Sequence, residues 1–135
     1  MSADISTERF IQSAVEARKL AIAPYSQYKV GAALLTNSDK IFTAGNIESS
    51  SYSLTLCAER VALFSALSQG YREFTTIAVA TDNGASPCGA CRQLLWEFAP
   101  DIQVVLIDTD LNQREIPLAD LLPNPFDESS LNSPT

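Results

Sequence analysis

A chain of 135 residues with 46% hydrophobic and 19% charged positions has the length of about one domain and a globular composition, which excludes a disordered or fibrous protein. Nine basic against sixteen acidic residues leave a formal charge of −7; such a surface repels phosphate backbones and polyanionic membranes, so neither nucleic acid nor membrane is expected as a partner. No apolar run approaches the roughly 18 residues that span a bilayer, positions 1–9 carry no signal-peptide pattern, and three cysteines with no histidine suggest thiols in a cytoplasmic, reducing setting and exclude histidine-based catalysis.

The spacing of Phe10, Ile11, Ala14, Val15 and Ala21-Ile22 predicts a helix from Ser6 to about Ile22, with Ser6 or Thr7 as N-cap and Pro24 as its stop. Tyr28 to Leu35 and Ile41 to Ala44, joined by Asn37-Ser38-Asp39, read as a hairpin. A polar stretch over 46–55 precedes a helix from Ala58 to Gln69, with Gly70 at its C′ position. Thr75 to Thr81 is a β-branched apolar run of the kind that buried strands carry, and 82–87 is a loop. Cys88 to Phe98 reads as a helix, Ile102 to Ile107 as a second buried strand, and Glu115-Ile116 as the centre of a short strand. Pro117 opens a brief helix that ends at Leu122-Pro123. With no repeat and no internal linker, 1–135 reads as one domain in which helices pack on a mixed sheet; 124–135 forms a C-terminal tail, polar except for Phe126 and Leu131. The pattern does not give the strand order.

All three cysteines fall at or beside predicted helix starts: Cys57 before one helix, Cys88 and Cys91 at the beginning of another. Unsatisfied N–H groups and the helix dipole at such ends favour thiolate over thiol. If Cys57 comes from a neighbouring helix pointing the same way, three thiolates converge on one metal ion. A buried free cysteine at 57 and a redox dithiol at 88–91 are the simpler alternatives. A structural zinc site normally takes four protein ligands, whereas three ligands plus water make an open, catalytic one; the count of three favours catalysis. Glu59 lies two residues after Cys57. A carboxylate in a first helical turn is favourable in its own right, but beside an open zinc it can shuttle a proton from water to substrate. Cys-x-Glu followed by Pro-Cys-x-x-Cys is the three-cysteine form of the zinc-deaminase signature.

On these residues, together with Val30-Gly31-Ala32-Ala33-Leu34, Gly45-Asn46-Ile47-Glu48, Cys57-Ala58-Glu59-Arg60, Ser86-Pro87-Cys88-Gly89-Ala90-Cys91-Arg92-Gln93 and Leu121-Leu122-Pro123, the chain resembles the small homotetrameric cytidine deaminases with three cysteine ligands. The resemblance implies an α/β fold, a three-layer α-β-α sandwich with a five-stranded mixed sheet. It also implies one Zn2+ per subunit on Cys57, Cys88 and Cys91, and hydrolysis of cytidine and deoxycytidine to the uracil nucleosides and ammonia in pyrimidine salvage, with Glu59 carrying protons. Three thiolates leave the zinc at a formal −1 and weaken its acidity; the resemblance makes Arg60 the offset, hydrogen-bonded to the ligand sulfurs. It assigns substrate contacts to Asn46, Glu48, Tyr28, Ala58 and Phe126. The Asn46–Glu48 pair suits ribose hydroxyls and repels a 5′-phosphate, so a free nucleoside is the expected small-molecule partner. Tyr28 stands where the family usually has a phenylalanine against the base. Phe126 matches a tail residue that reaches the base in a neighbouring subunit, which ties its role to a homotetramer. Arg92 and Gln93 are expected to support the site or an interface.

The chain departs from the family pattern after Glu48, where Ser49-Ser50-Ser51 and Tyr52-Ser53 stand; this bears on loop contacts and substrate range. Two rival readings remain. One is a deaminase of another cytosine nucleoside, of the blasticidin S type, against which Asn46 and Glu48 argue. The other is a non-catalytic, zinc-stabilised binding module, which has no use for Glu59.

Overall fold

The structure is a computed structural model and describes residues 6–131; the readings of the first five and last four residues lie outside the described residues. Helix α1 spans Thr7–Ala17, with Ser6 Oγ accepting from the Arg9 N–H at 3.1 Å as its N-cap. Strands β1 (Gly31–Thr36) and β2 (Ile41–Gly45) form the expected hairpin. They are followed by α2 (Ala58–Ser68), β3 (Phe74–Ala80), α3 (Gly89–Phe98), β4 (Gln103–Ile107), β5 (Gln113–Pro117) and the short helices α4 (Leu118–Leu121) and α5 (Glu128–Leu131).

The five strands make one sheet in the order β2-β1-β3-β4-β5. β3 and β4 are parallel, with α3 as the crossover, and every other neighbouring pair is antiparallel. Strand β1 is buried along its whole length, which its near-continuous apolar sequence requires. Its Ala33 and Leu35 join Ala78, Ala80, Val105 and Ile107 against Phe10, Ile11 and Ala14 of α1. On the other face, Ala32, Leu34, Ile77, Val79, Val104 and Leu106 pack against α2, α3 and α4. The result is the three-layer α-β-α sandwich that the resemblance implies.

Two glycines set how closely α1 approaches. A Cβ on Gly31 would stand 2.3 Å from the Ala14 carbonyl oxygen, and one on Gly45 would stand 2.4 Å from the Ala21 nitrogen. Only hydrogen at these positions lets the end of α1 and the turn after it lie on β1 and β2.

Two boundaries differ from the sequence reading through non-local bonds, and the tail holds an element not expected there. The first helix ends at Ala17 with a 3-10 turn to Leu20, not at Ile22. Ile22 is engaged elsewhere: its N–H donates to the Asn46 carbonyl and its own carbonyl accepts from the Glu48 N–H, both at 2.8 Å. The hairpin's first strand begins at Gly31, not Tyr28, because the backbone at 28 and 30 is held by the Asn46 side chain. The tail contains α5, whose start is capped by Asp127 accepting from the Ser129 N–H.

Candidate active site

The register of β1, β2 and β3 places their site-facing ends together. Gly31, which begins β1, pairs with Gly45 at the end of β2 and with Ala80 at the end of β3. The segments just beyond these ends, 28–30, 46–48 and 81–88, therefore meet at one edge of the sheet. Helices α2 and α3 start at the same edge, with Cys57 as N-cap of α2 and Cys88 as N-cap of α3. Neither cap sulfur accepts from a backbone N–H of its own helix.

Cys57, Cys88 and Cys91 converge, with every sulfur within 4.8 Å of the others. Cys57 Sγ lies 3.8 Å from Cys88 Sγ, and Cys88 Sγ lies 3.6 Å from Cys91 Sγ. Thiolates bound tetrahedrally at about 2.3 Å from zinc stand roughly 3.8 Å apart. The two spacings from Cys88 match edges of a zinc tetrahedron, and the donor set fits a zinc ion with its fourth position open. Cys57 and Cys91 shift in opposite directions. The Cys57 thiol is pulled down to about 5, first by the Cys91 thiol donating to it and then by Arg60 and Cys88. Cys91 is pushed up by the same bond, by its burial and by the nearby Glu59 charge. Crowding of like charges disfavours a second thiolate beside Cys57, and a bound cation would remove that penalty.

Glu59, in the first turn of α2, is buried beside this group and lines the same cavity. Burial raises its carboxyl to about 7, with the Cys57 charge acting in the same direction. A group that titrates near neutrality can both take up and release a proton at working pH. Arg60 points one guanidinium nitrogen at Cys57 Sγ, 3.6 Å away, and at the Thr55 carbonyl, 3.4 Å away. Its own charged form is favoured first by the bond to Cys57.

The cavity, of about 280 Å³, is lined by Tyr28, Asn46, Glu48, Cys57, Glu59 and Cys88 among others. Asn46 is buried; its Oδ1 accepts from the Val30 N–H and its Nδ2 donates to the Tyr28 carbonyl, both at 2.9 Å. The Glu48 carboxylate accepts from the backbone N–H groups of Tyr25 (2.9 Å) and Ser26 (3.1 Å) and from the Ser26 hydroxyl. The hydroxyl bond, followed by the two amides, holds its carboxyl below the usual range. The cavity wall also includes Val30 and Ser86, quoted in sequence only within longer motifs, and Thr55, Leu56, Val79, Thr81 and Ala85, which were not singled out. Thr81 carried a readable signal, a hydroxyl closing an apolar strand, and here it caps the loop that follows.

Two expected substrate contacts are not on this wall. Ala58 is fully buried, its side chain in the core beneath α2. Phe126 is 59% exposed, on a tail segment that Gln93 holds by donating to its carbonyl. Arg92 bonds the carbonyls of Pro87 (2.7 Å) and Leu121 (2.8 Å), fixing the residue just before Cys88 to the end of α4.

Comparison with known proteins gives this geometry a family. A cytidine deaminase of Halalkalibacterium halodurans is 43% identical over 93% of this chain and 97% of its own. The crystal structure of cytidine deaminase from Burkholderia pseudomallei matches with a TM-score of 0.88 at 47% identity, covering 90% of this chain and 100% of that one. A blasticidin-S deaminase of Bacillus cereus is 34% identical over a smaller share, 73% of this chain and 76% of its own. Residues 4–107 match the family model described as the cytidine and deoxycytidylate deaminase zinc-binding region. The zinc-shaped trio of sulfurs, the carboxylate beside it and these matches agree: the chain belongs to the cytidine and deoxycytidylate deaminase zinc-binding family.

Proposed function

We propose that this protein hydrolyses cytidine and deoxycytidine to uridine and deoxyuridine with release of ammonia. The observation that carries the reading is the placement of the buried Glu59 carboxyl in one cavity with the convergent sulfurs of Cys57, Cys88 and Cys91. The three cysteines would hold one zinc ion, which supplies Lewis acidity that makes water nucleophilic near neutral pH. Glu59 takes a proton from the attacking water and delivers it to ring N3, and the oxygen bonds to C4. It then passes a second proton to the departing amino group, so water enters, ammonia leaves and C4 becomes a carbonyl. Arg60 draws charge from Cys57 and so offsets the electron-rich thiolate set.

Asn46 and Glu48 bind the sugar hydroxyls, Asn46 with its second N–H and Glu48 with its remaining lone pairs. The ionised Glu48 disfavours a 5′-phosphate, which points to a free nucleoside and against a nucleotide. Tyr28 walls the base and Ala58 contributes through its backbone. Phe126 serves the cavity of a neighbouring subunit in a homotetramer, a reading supported by its exposure and its absence from the cavity of its own chain. The protein works in pyrimidine salvage in the cytoplasm; no helix among the described residues is long and apolar enough to cross a membrane.

An ultraviolet assay over a panel of cytosine nucleosides and nucleotides, with zinc measured on the same sample, tests this. Turnover of cytidine and deoxycytidine with one zinc per chain and little activity on the 5′-monophosphate is expected. Turnover of blasticidin S alone overturns the substrate assignment. Light scattering tests the tetramer, and an active monomer removes Phe126 from the site.

A further inference from the structure

Beyond the Gly31–Ala80 pair the β1–β3 ladder stops, and side chains hold the two strand extensions together. The Tyr28 hydroxyl donates to Asn83 Oδ1 at 2.8 Å, and the Thr81 hydroxyl reaches the same oxygen at 3.3 Å. Thr81 Oγ1 in turn accepts from the backbone N–H groups of Gly84 (2.8 Å) and Ala85 (3.1 Å). A second stitch runs through Arg18, whose Nε donates to the Lys29 carbonyl at 3.0 Å while its other end pairs with the Asp82 carboxylate. Both stretches joined in this way line the cavity, through Tyr28 and Val30 on one side and through Thr81, Ala85, Ser86 and Cys88 on the other.

Tyr28 is thereby fixed at both ends. Its backbone N–H donates to the Ser26 hydroxyl at 3.0 Å and its carbonyl accepts from Asn46, while its ring is tied at the tip to Asn83. A phenylalanine at this position would present the same ring with a free end. We propose that the Tyr28 hydroxyl and Asn83 form a latch that sets the spacing between Tyr28 and the 81–88 loop, making Tyr28 a positioning residue that selects against cytosine nucleosides with added bulk on the ring. The inference rests on the proposed function of the site. The selected part of the substrate is the base, because the loop that the latch holds also carries Cys88, so the space it bounds adjoins Glu59 and the sulfurs, where the chemistry occurs. One neutral hydrogen bond is worth roughly 1 kcal/mol, or about a five-fold effect.

The test measures kcat and KM for cytidine and for 5-methylcytidine in the zinc-loaded protein and in Tyr28→Phe, Asn83→Ala, the double variant and Asn83→Asp. The ratio of kcat/KM for 5-methylcytidine to that for cytidine should rise about five-fold in Tyr28→Phe and in Asn83→Ala, chiefly through KM. The double variant should show no further rise. Asn83→Asp, which keeps an acceptor oxygen, should hold the wild-type ratio. Zinc content and Tm of each variant separate this effect from misfolding, and if Tyr28→Phe does not fold, the Asn83 pair carries the comparison. A ratio unchanged in Tyr28→Phe or Asn83→Ala, or effects that multiply in the double variant, overturns the latch. Wild-type protein that turns over no cytosine nucleoside overturns the proposed function itself.

Discussion

Arg60 sits three residues after Cys57 on the same helix and directs a guanidinium nitrogen to its sulfur at 3.6 Å, while its Nε is buried without a partner among the described residues. The contact puts its charge beside the Cys57 sulfur. Replacing it with leucine should weaken zinc retention by about ten- to hundred-fold, the usual loss when a group supporting a metal ligand is removed. Competition with a chromogenic chelator measures this, and retention equal to wild type would remove Arg60 from the metal's support.

Glu59→Gln should keep one zinc per chain and lose roughly 10²- to 10⁴-fold in turnover, the contribution of a positioned acid–base group. Burial raises the Glu59 pKa to about 7, so in the metal-free protein its ionisation costs stability as pH climbs from its unfolded value near 4.5 through that range. Metal-stripped Glu59→Gln should therefore match or exceed wild type in Tm at pH 8. A variant with normal turnover would end the proton-carrier assignment.

Asn46→Ala should affect stability and binding together. It leaves the Val30 N–H and the Tyr28 carbonyl without their partner at a buried position, a loss of about 2 kcal/mol. Urea unfolding reads the stability change, and KM for cytidine should rise in parallel. If stability falls while KM stays fixed, the amide serves only the backbone.

The Glu48 carboxyl is held below its ordinary value of 4.5, first by the Ser26 hydroxyl and then by the amides of Ser26 and Tyr25. A lowered carboxyl contributes stability that is present above its unfolded pKa and lost as pH falls through its folded one. The stability advantage of wild type over Glu48→Gln should therefore be full at pH 7 and shrink below about 4.5. An advantage that grows on acidification would show that the carboxylate is not what anchors the 25–26 turn.

The clustering of the cysteines with Glu59 was more legible in the sequence than the walls of the cavity. Cysteine spacing, with Glu59 beside it, depends on local helix geometry, and a helix start imposes that geometry wherever it occurs. The two central strands were legible because apolar runs buried on both faces have few other uses. The end of α1 was misplaced because Ile22 pairs with Asn46 and Glu48, a contact between distant positions that local periodicity does not encode. The same holds for Tyr28 to Val30, where the Asn46 side chain takes the Val30 N–H and the Tyr28 carbonyl. Helix α5 was missed although Asp127 is a good cap residue, because four residues are too few for a hydrophobic period to register.

The cavity is assembled from segments near positions 28, 46, 57 and 81–91, joined by the register at Gly31, Gly45 and Ala80. A nascent chain that has emerged only as far as α2 carries one of the three sulfurs and none of the sheet pairing between β1 and β3. The three-sulfur cluster is therefore complete only when the chain has been made through Cys91 and β1 has paired with β3.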